Sequence, residues 1–139
     1  MKILKVICAE NVIRDLETNQ ITIYNLYDQI LGFSYPMLIN KFSIYYLTEK
    51  ENEEDVGKIL TMQIFNNKVL ILEESNKMNF LKTNISRTIV KINGLFVQSS
   101  GILSIKFFID GNIINQTNMN INLIPNNSNV VQETKTEAK

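Results

Sequence analysis

The chain has 139 residues, a length typical of one domain, and its hydrophobic fraction of 45% is that of a globular protein. Lys and Arg number 14, as do Asp and Glu, so the formal net charge is zero. A protein that binds nucleic acid normally carries a basic excess or stripe, so we expect no nucleic-acid partner.

The compartment is predicted from the cysteine content and from the distribution of apolar residues. The only cysteine, Cys8, excludes an intramolecular disulfide and favours a reducing compartment. Lys5 and Glu10 interrupt the first apolar run, and no small-residue cleavage pattern follows, so no signal peptide is indicated. No stretch approaches the about 18 apolar residues of a membrane span. We therefore expect a cytoplasmic protein with no membrane partner.

The first third of the chain predicts a hairpin and a crossing connection. Lys2 to Asp15 is rich in β-branched residues, and Gln20 to Leu26 alternates apolar with polar side chains, so both are predicted as strands. Leu16 to Asn19 supplies turn chemistry between them. Tyr27 to Pro36 contains a glycine and a proline, and is predicted to connect one sheet to another.

The middle of the chain predicts a single strand, a loop and a second hairpin. Lys41 to Leu47 alternates as a strand, and Thr48 to Asp55 is predicted as an exposed acidic loop. Lys58 to Phe65 and Lys68 to Glu74 form the predicted hairpin, with Asn66-Asn67 as its turn.

The last third predicts another strand and a third hairpin. Ser75 to Asn84 is the least strand-like stretch, whereas Ile85 to Val97 is predicted as a strand with a bend or bulge at Asn93-Gly94. Gly101 to Ile124 holds two alternating runs around Asp110-Gly111, a dipeptide suited to a type I′ turn.

About eight strands and no strong helix predict an all-β chain. The preferred architecture is a single antiparallel β-sandwich over residues 1–125, immunoglobulin-like or C2-like, and the alternative is a closed β-barrel. Residues 126–139 lack periodicity and are predicted as a disordered tail. The asparagine-rich segment from Asn118 to Ile124 is predicted as an edge strand, to which another strand would add if the edge is open.

The segment from Cys8 to Ile30 resembles the opening of an uncharacterised family of small bacterial proteins. Its pattern combines an acidic residue, a Glu-Thr-Asn turn and an Asn-x-x-Asp-x-Ile ending, carried here by Asp15, Glu17, Thr18, Asn19, Thr22, Ile23, Asn25, Leu26, Asp28 and Ile30. A looser second part is carried by Phe80, Arg87, Ile89, Ile92, Gly94, Leu95 and Gly101. The resemblance implies a β-sandwich, and it carries over no catalytic residue and no cofactor.

The absence of histidine removes the usual general base and the commonest metal ligand. Cys8 lies in an apolar strand and is predicted to be a buried, inert thiol. Glu10, Asp15, Asp28, Glu73 and Asp110 are candidates for a carboxylate pair of the glycosidase kind, but turn and strand-end positions explain most of them. The acidic loop lacks calcium-loop spacing. We expect no cofactor and no enzyme.

Aromatic residues and one arginine supply the remaining candidates for a binding site. Tyr27, Asp28 and Tyr35 belong to the crossing connection, where exposed tyrosines would stack on sugars or anchor a protein. Tyr45 is out of phase with its core-facing neighbours and is predicted to be exposed. Arg87 is predicted to face outward, paired with Asp28 or Glu73, or else in contact with a partner.

These residues suggest a non-enzymatic, cytoplasmic β-sandwich module. The preferred function is protein–protein interaction or self-assembly through sheet edges or outer tyrosines. The alternative is a small-ligand or carbohydrate-binding module that uses the crossing connection.

Overall fold

The structure is a computed structural model, and it describes residues 1–125. The predicted tail, 126–139, lies outside the described residues. Within the described part, a short 3₁₀ turn at Glu53–Asp55 accompanies eleven strands. The strands are β1 (Lys2–Arg14), β2 (Ile21–Leu26), β3 (Gln29–Gly32), β4 (Met37–Ile39), β5 (Phe42–Glu49), β6 (Ile59–Asn66), β7 (Val69–Lys77), β8 (Ile85–Ile92), β9 (Leu95–Val97), β10 (Gly101–Ile109) and β11 (Asn112–Leu123). In residues 1–125, no helix has the length and apolar character needed to cross a membrane.

The strands form three sheets. A four-stranded sheet has the order β2-β1-β5-β8, a five-stranded sheet has the order β3-β11-β10-β6-β7, and β4 pairs with β9 in a two-stranded ribbon. Every pairing is antiparallel except that of β3 with β11. The predicted all-β class is confirmed, with more strands and more sheets than the sequence suggested.

The main hydrophobic core joins the two larger sheets. Tyr46 of β5 and Phe107 of β10 are both buried, and their rings meet edge to face with centroids 4.9 Å apart. Met78 and Phe80, which follow β7, also bury their side chains in this core. The least strand-like stretch of the sequence therefore contributes two core residues to the space between the sheets.

Strand β1 bends and carries the β1–β2 hairpin back over the outer face of the four-stranded sheet. Strand β5 lies between β1 and β8, and its Leu47 pairs with Lys5 on one side and with Arg87 on the other. Later in β1, Ala9 pairs with Ser43, so the C-terminal half of β1 runs away from Leu47 along β5. A straight β1 would carry its C-terminal end away from Leu47 and Arg87. Instead, Arg14, the last residue of β1, donates a hydrogen bond from its side chain to the carbonyl oxygen of Arg87. The sheet is therefore curled, with its hairpin folded across its own outer face.

The curl creates a second, smaller core on the outer face. Ala9, Val12 and Tyr45 are buried there, with Ile21 and Leu47 packed beside them. Tyr45 is only 7% exposed, so the prediction that it is exposed was wrong. Its phase was read correctly as opposite to that of Tyr46, but alternation does not reveal that the hairpin covers this face.

The crossing connection contains a strand that the sequence did not reveal. Gln29–Gly32 forms β3, which pairs in parallel with Asn120–Leu123 of β11. The prediction that Asn118 to Ile124 forms an edge strand was therefore wrong over most of its length. A four-residue strand between a turn and a proline is too short to show clear alternation, and its parallel partner lies about 90 residues away.

Two hairpin turns have the left-handed backbone that type I′ turns require. The Asp110-Gly111 turn is confirmed, with φ of +51° and +79°. In the β6–β7 hairpin the turn residues are Asn67 and Lys68, with φ of +49° and +71°, and not Asn66 and Asn67 as predicted. Asn66 is instead the buried last residue of β6.

Candidate functional site

Two of the tyrosines predicted to bind a ligand use their polar atoms and ring faces inside the protein. The Tyr27 ring stacks on Phe42 at 5.4 Å between centroids, and its hydroxyl donates to the carbonyl oxygen of Lys41 at 3.3 Å. The Tyr35 hydroxyl donates to the carbonyl oxygen of Asn122 at 2.8 Å. Both side chains pack against the main core. These tyrosines therefore fix the connection rather than offer open rings to a sugar.

The acidic partners that the sequence suggested for Arg87 lie elsewhere. Glu73 accepts a hydrogen bond from Gln63 on the neighbouring strand. Asp28 is exposed in the bend before β3. Neither carboxylate forms an ion pair with Arg87 in the described part of the chain. The predicted pairing of Arg87 with Asp28 or Glu73 was therefore wrong.

Arg87 instead takes part in a reciprocal contact with the hairpin. Its Nη1 donates to the carbonyl oxygen of Asn19 at 2.7 Å, and the Nη2 of Arg14 donates to the carbonyl oxygen of Arg87 at 3.3 Å. We call Arg14, Asn19 and Arg87 the arginine latch. The latch attaches the tip of the β1–β2 hairpin to the edge strand β8.

Three surface clefts surround the arginine latch. The largest, about 680 Å³, is lined by both arginines and by apolar side chains that include Leu47, Leu81 and Ile85. A cleft of about 350 Å³ extends from the arginines towards Asn76 to Asn79, and one of about 480 Å³ runs between the hairpin tip, Tyr45 and Arg87. The structure thus brings Tyr45 and Arg87 together, while Tyr27, Asp28 and Tyr35 lie outside these clefts.

Arg14 is the residue of this region that the sequence analysis missed. It is one of only two arginines in the chain, and the other is Arg87. Both arginines flank the same cleft, although 73 residues separate them in the chain. Only the fold shows that they are close together. Their rarity was the one indication available beforehand, since arginine is the residue best suited to bidentate recognition of oxyanions.

The single thiol of the chain is buried in the core. Burial raises the pKa of the Cys8 thiol to about 12, so the thiol stays protonated near neutral pH. The prediction that Cys8 is buried is confirmed. Among residues 1–125, no three cysteine, aspartate or glutamate side chains gather closely enough to hold a metal ion.

The β1–β2 hairpin exposes several large apolar side chains. Tyr24 and Leu26 are 49% and 63% exposed on β2, Ile13 is exposed on β1, and Leu16 is 94% exposed in the turn. In the described chain β2 pairs only with β1, so its outer edge carries unpaired backbone groups. The six residues of β2 include no charge and no proline, the features that usually protect an edge strand.

Comparison with known proteins adds no family assignment: no family model matches the chain, and no curated protein matches it significantly. The resemblance noted from the sequence stays a prediction. The hairpin and the clefts are therefore the features from which we infer a function.

Proposed function

We propose that the chain is a non-enzymatic, cytoplasmic module that binds protein through the outer edge of β2, and that the strand added there belongs to a second copy of the chain. The core shared by the two larger sheets supports a sandwich-like scaffold for this role. The uncharged, proline-free outer edge of β2 is the observation that carries the proposal, with Ile21 to Tyr24 as its extended part, because Asn25 has a left-handed backbone, φ +53°.

The edge offers both kinds of interaction that strand addition uses. Unpaired N–H and C=O groups along β2 would form a ladder with an incoming strand, and the alternate side chains Tyr24 and Leu26 would supply apolar contacts. Pairing would stabilise this strand, because it would satisfy the backbone N–H and C=O groups of the edge and remove the apolar side chains from water.

A second copy is the occupant that the composition favours. Two β2 strands related by a two-fold axis would run antiparallel and meet without charge repulsion, because neither contains a charged residue. A formal net charge of zero also leaves little long-range repulsion between two copies. The outer edges of β7 and β8 differ, since β7 carries Glu73 and Glu74, and β8 carries Arg87 and Lys91. The edge strand β3 is also uncharged, but its four residues offer a shorter ladder than the six of β2.

Light scattering coupled to size-exclusion chromatography over a concentration series tests the proposal. The unaltered chain should form a dimer, and Tyr24→Lys should weaken dimerisation at least tenfold, because an edge lysine opposes strand addition. Leu70→Lys is the matched control, since Leu70 is equally exposed on β7 and should leave the dimer intact. A monomer at every concentration, or equal effects of the two variants, would refute self-association through β2.

A further inference from the structure

The surroundings of the arginine latch carry an excess of positive charge in a chain that is neutral overall. Arg14, Arg87 and Lys77 line the clefts around the latch, and no aspartate or glutamate lines any of the three. No carboxylate of residues 1–125 forms an ion pair with either arginine. Their partners within the protein are neutral carbonyl oxygens, which leave both positive charges uncompensated.

The nearest acid along the chain is already engaged. Asp15 follows Arg14, and its Oδ1 accepts hydrogen bonds from the backbone N–H groups of Glu17 at 2.8 Å and Thr18 at 3.2 Å. These contacts hold the Asp15 side chain in the β1–β2 turn. The carboxylate therefore serves the turn and does not bridge the two guanidinium groups.

Most hydrogen-bond donors of the two arginines remain available. A guanidinium group has five N–H donors in a planar fork, and the latch contacts use one from each arginine. Carboxylate and phosphate oxygens match this fork in bidentate geometry. Two such groups lining one cleft are suited to a single oxyanion placed between the hairpin tip and β8.

Apolar side chains also line the largest cleft, beside the arginines. Leu47, Leu81 and Ile85 line it, and Leu81 projects into solvent with 84% of its surface exposed and a left-handed backbone, φ +52°. The cleft volume of about 680 Å³ falls within the usual range for small-molecule sites. An anion with an attached apolar body would contact both the guanidinium groups and these apolar side chains.

We propose that the cleft beside the arginine latch binds a small organic anion, with a phosphate or carboxylate group held by Arg14 and Arg87 and an apolar body resting against Leu47, Leu81 and Ile85. This site is separate from the β2 edge, so its occupancy does not depend on the proposed self-association.

Nuclear magnetic resonance gives a direct test, because a chain with two arginines shows only two arginine Nε–Hε signals. The probes are phenyl phosphate, benzoate, inorganic phosphate and, as a salt control, sodium chloride at equal ionic strength. We expect saturable shifts of both arginine signals with phenyl phosphate or benzoate, and weaker binding of inorganic phosphate. The comparison of phenyl phosphate with benzoate identifies which acidic group the site prefers.

Variants separate specific binding from general charge. Arg87→Lys and Arg14→Lys keep the charge but lose the fork, and each should weaken binding of the preferred probe at least tenfold. Lys68→Asn is the control, because it removes a basic side chain just before β7, at the end of that strand far from the cleft residue Lys77. Asparagine tolerates the left-handed backbone found at residue 68. It should leave binding unchanged, as should Tyr24→Lys.

Two results would overturn the proposal, one from the unaltered protein and one from the variants. Linear shifts that are equal for all probes and for chloride would show that the arginines respond only to ionic strength. A loss of binding in Lys68→Asn, with none in Arg87→Lys, which keeps its charge, would likewise assign the effect to general charge. Val12 belongs to β1 and is buried with Tyr45 in the second core, so the chemical shifts of its methyl groups report whether each arginine variant keeps the hairpin in place.

Discussion

Asp55 shows how a single residue in an apparently solvated acidic segment acquires a structural role. The charge pattern of Thr48 to Asp55 predicts an exposed loop, but Asp55 is only 2% exposed. Its Oδ2 accepts hydrogen bonds from the backbone N–H groups of Glu51 at 2.8 Å and Asn52 at 3.2 Å, and the Met1 ammonium group lies 3.0 Å away. The prediction of an exposed loop was wrong at this residue, because charge runs do not reveal which carboxylate turns inward.

The surroundings of Asp55 fix the direction of its pKa shift. Burial, the largest single influence, acts to raise the pKa, but the hydrogen bonds from Glu51 and Asn52 and the nearby Met1 ammonium group together lower it to about 2. A carboxyl group whose pKa is lower in the folded state than in the unfolded chain stabilises the fold above the unfolded pKa of about 4. This stabilisation is lost as the pH falls from about 4 towards 2.

We expect Asp55→Asn to lower the free energy of unfolding by about 2 kcal/mol at neutral pH, because the charge-assisted hydrogen bonds and the ion pair of a buried carboxylate are lost. The variant should also lose part of the decline in stability between about pH 4 and pH 2. Urea denaturation across that range measures both effects. The neighbouring exposed residue supplies the control, since Glu54→Gln should change stability by less than about 0.5 kcal/mol. Equal losses in the two variants would contradict the assigned role of Asp55.

At the scale of elements, two asparagines at the end of the β6–β7 hairpin fix the connection between β9 and β10. The Oδ1 of Asn66 accepts the backbone N–H groups of Gln98 at 2.8 Å and Ser99 at 3.2 Å. The Oδ1 of Asn67 accepts the N–H of Ile102 at 2.8 Å. A Cβ atom at Gly101 would lie 2.0 Å from that same Asn67 oxygen, so this contact requires glycine.

We expect Asn66→Ala to lower the free energy of unfolding by about 1–3 kcal/mol, because it removes a buried amide that accepts two backbone N–H groups. Asn120→Ala, at an exposed position on β11, should have an effect below about 0.5 kcal/mol. Amide hydrogen exchange at Gln98 and Ser99 should quicken in the first variant and stay unchanged in the second. Unchanged exchange in Asn66→Ala would show that these donors find other partners.

The elements that the sequence predicted are those whose signals are local. Alternation and the turn at Asp110-Gly111 located the β10–β11 hairpin, and alternation located most of β6 and β7. The bend in β1, the parallel pairing of β3 and the contacts of Asn66 depend on residues far apart in the chain. Period-two alternation separates the two faces of a strand, but it does not indicate what covers each face.

The candidate site was predictable only in part for the same reason. Arg87 was selected because its phase placed it outside the core, and the structure places it beside a cleft. Tyr27 and Tyr35 were selected as aromatic residues of a supposed loop, and the strand within that loop directs their hydroxyls to backbone carbonyls. Arg14 was missed because its proximity to Arg87 arises from the curl of the four-stranded sheet.

At the scale of the whole molecule, the two larger sheets share one core and should unfold together. Tyr46 and Phe107 join them at the centre of that core. We expect Phe107→Ala to lower the free energy of unfolding by about 3–5 kcal/mol, whereas Phe96→Ala, at a half-exposed position on β9, should cost far less. Circular dichroism and tyrosine fluorescence should give coincident denaturation curves in the unaltered protein. Separate transitions would show that the sheets are independent units.

The pairing of β3 with β11 has a consequence for how the chain folds during synthesis. The partner of Gln29–Gly32 is Asn120–Leu123, so one of the first strands made lacks its neighbour until nearly the whole described chain has left the ribosome. The β1–β2 hairpin and the β6–β7 hairpin pair locally and are complete earlier. The five-stranded sheet should therefore close last, and while it waits, β3 on the nascent chain is exposed to chaperones and to other chains.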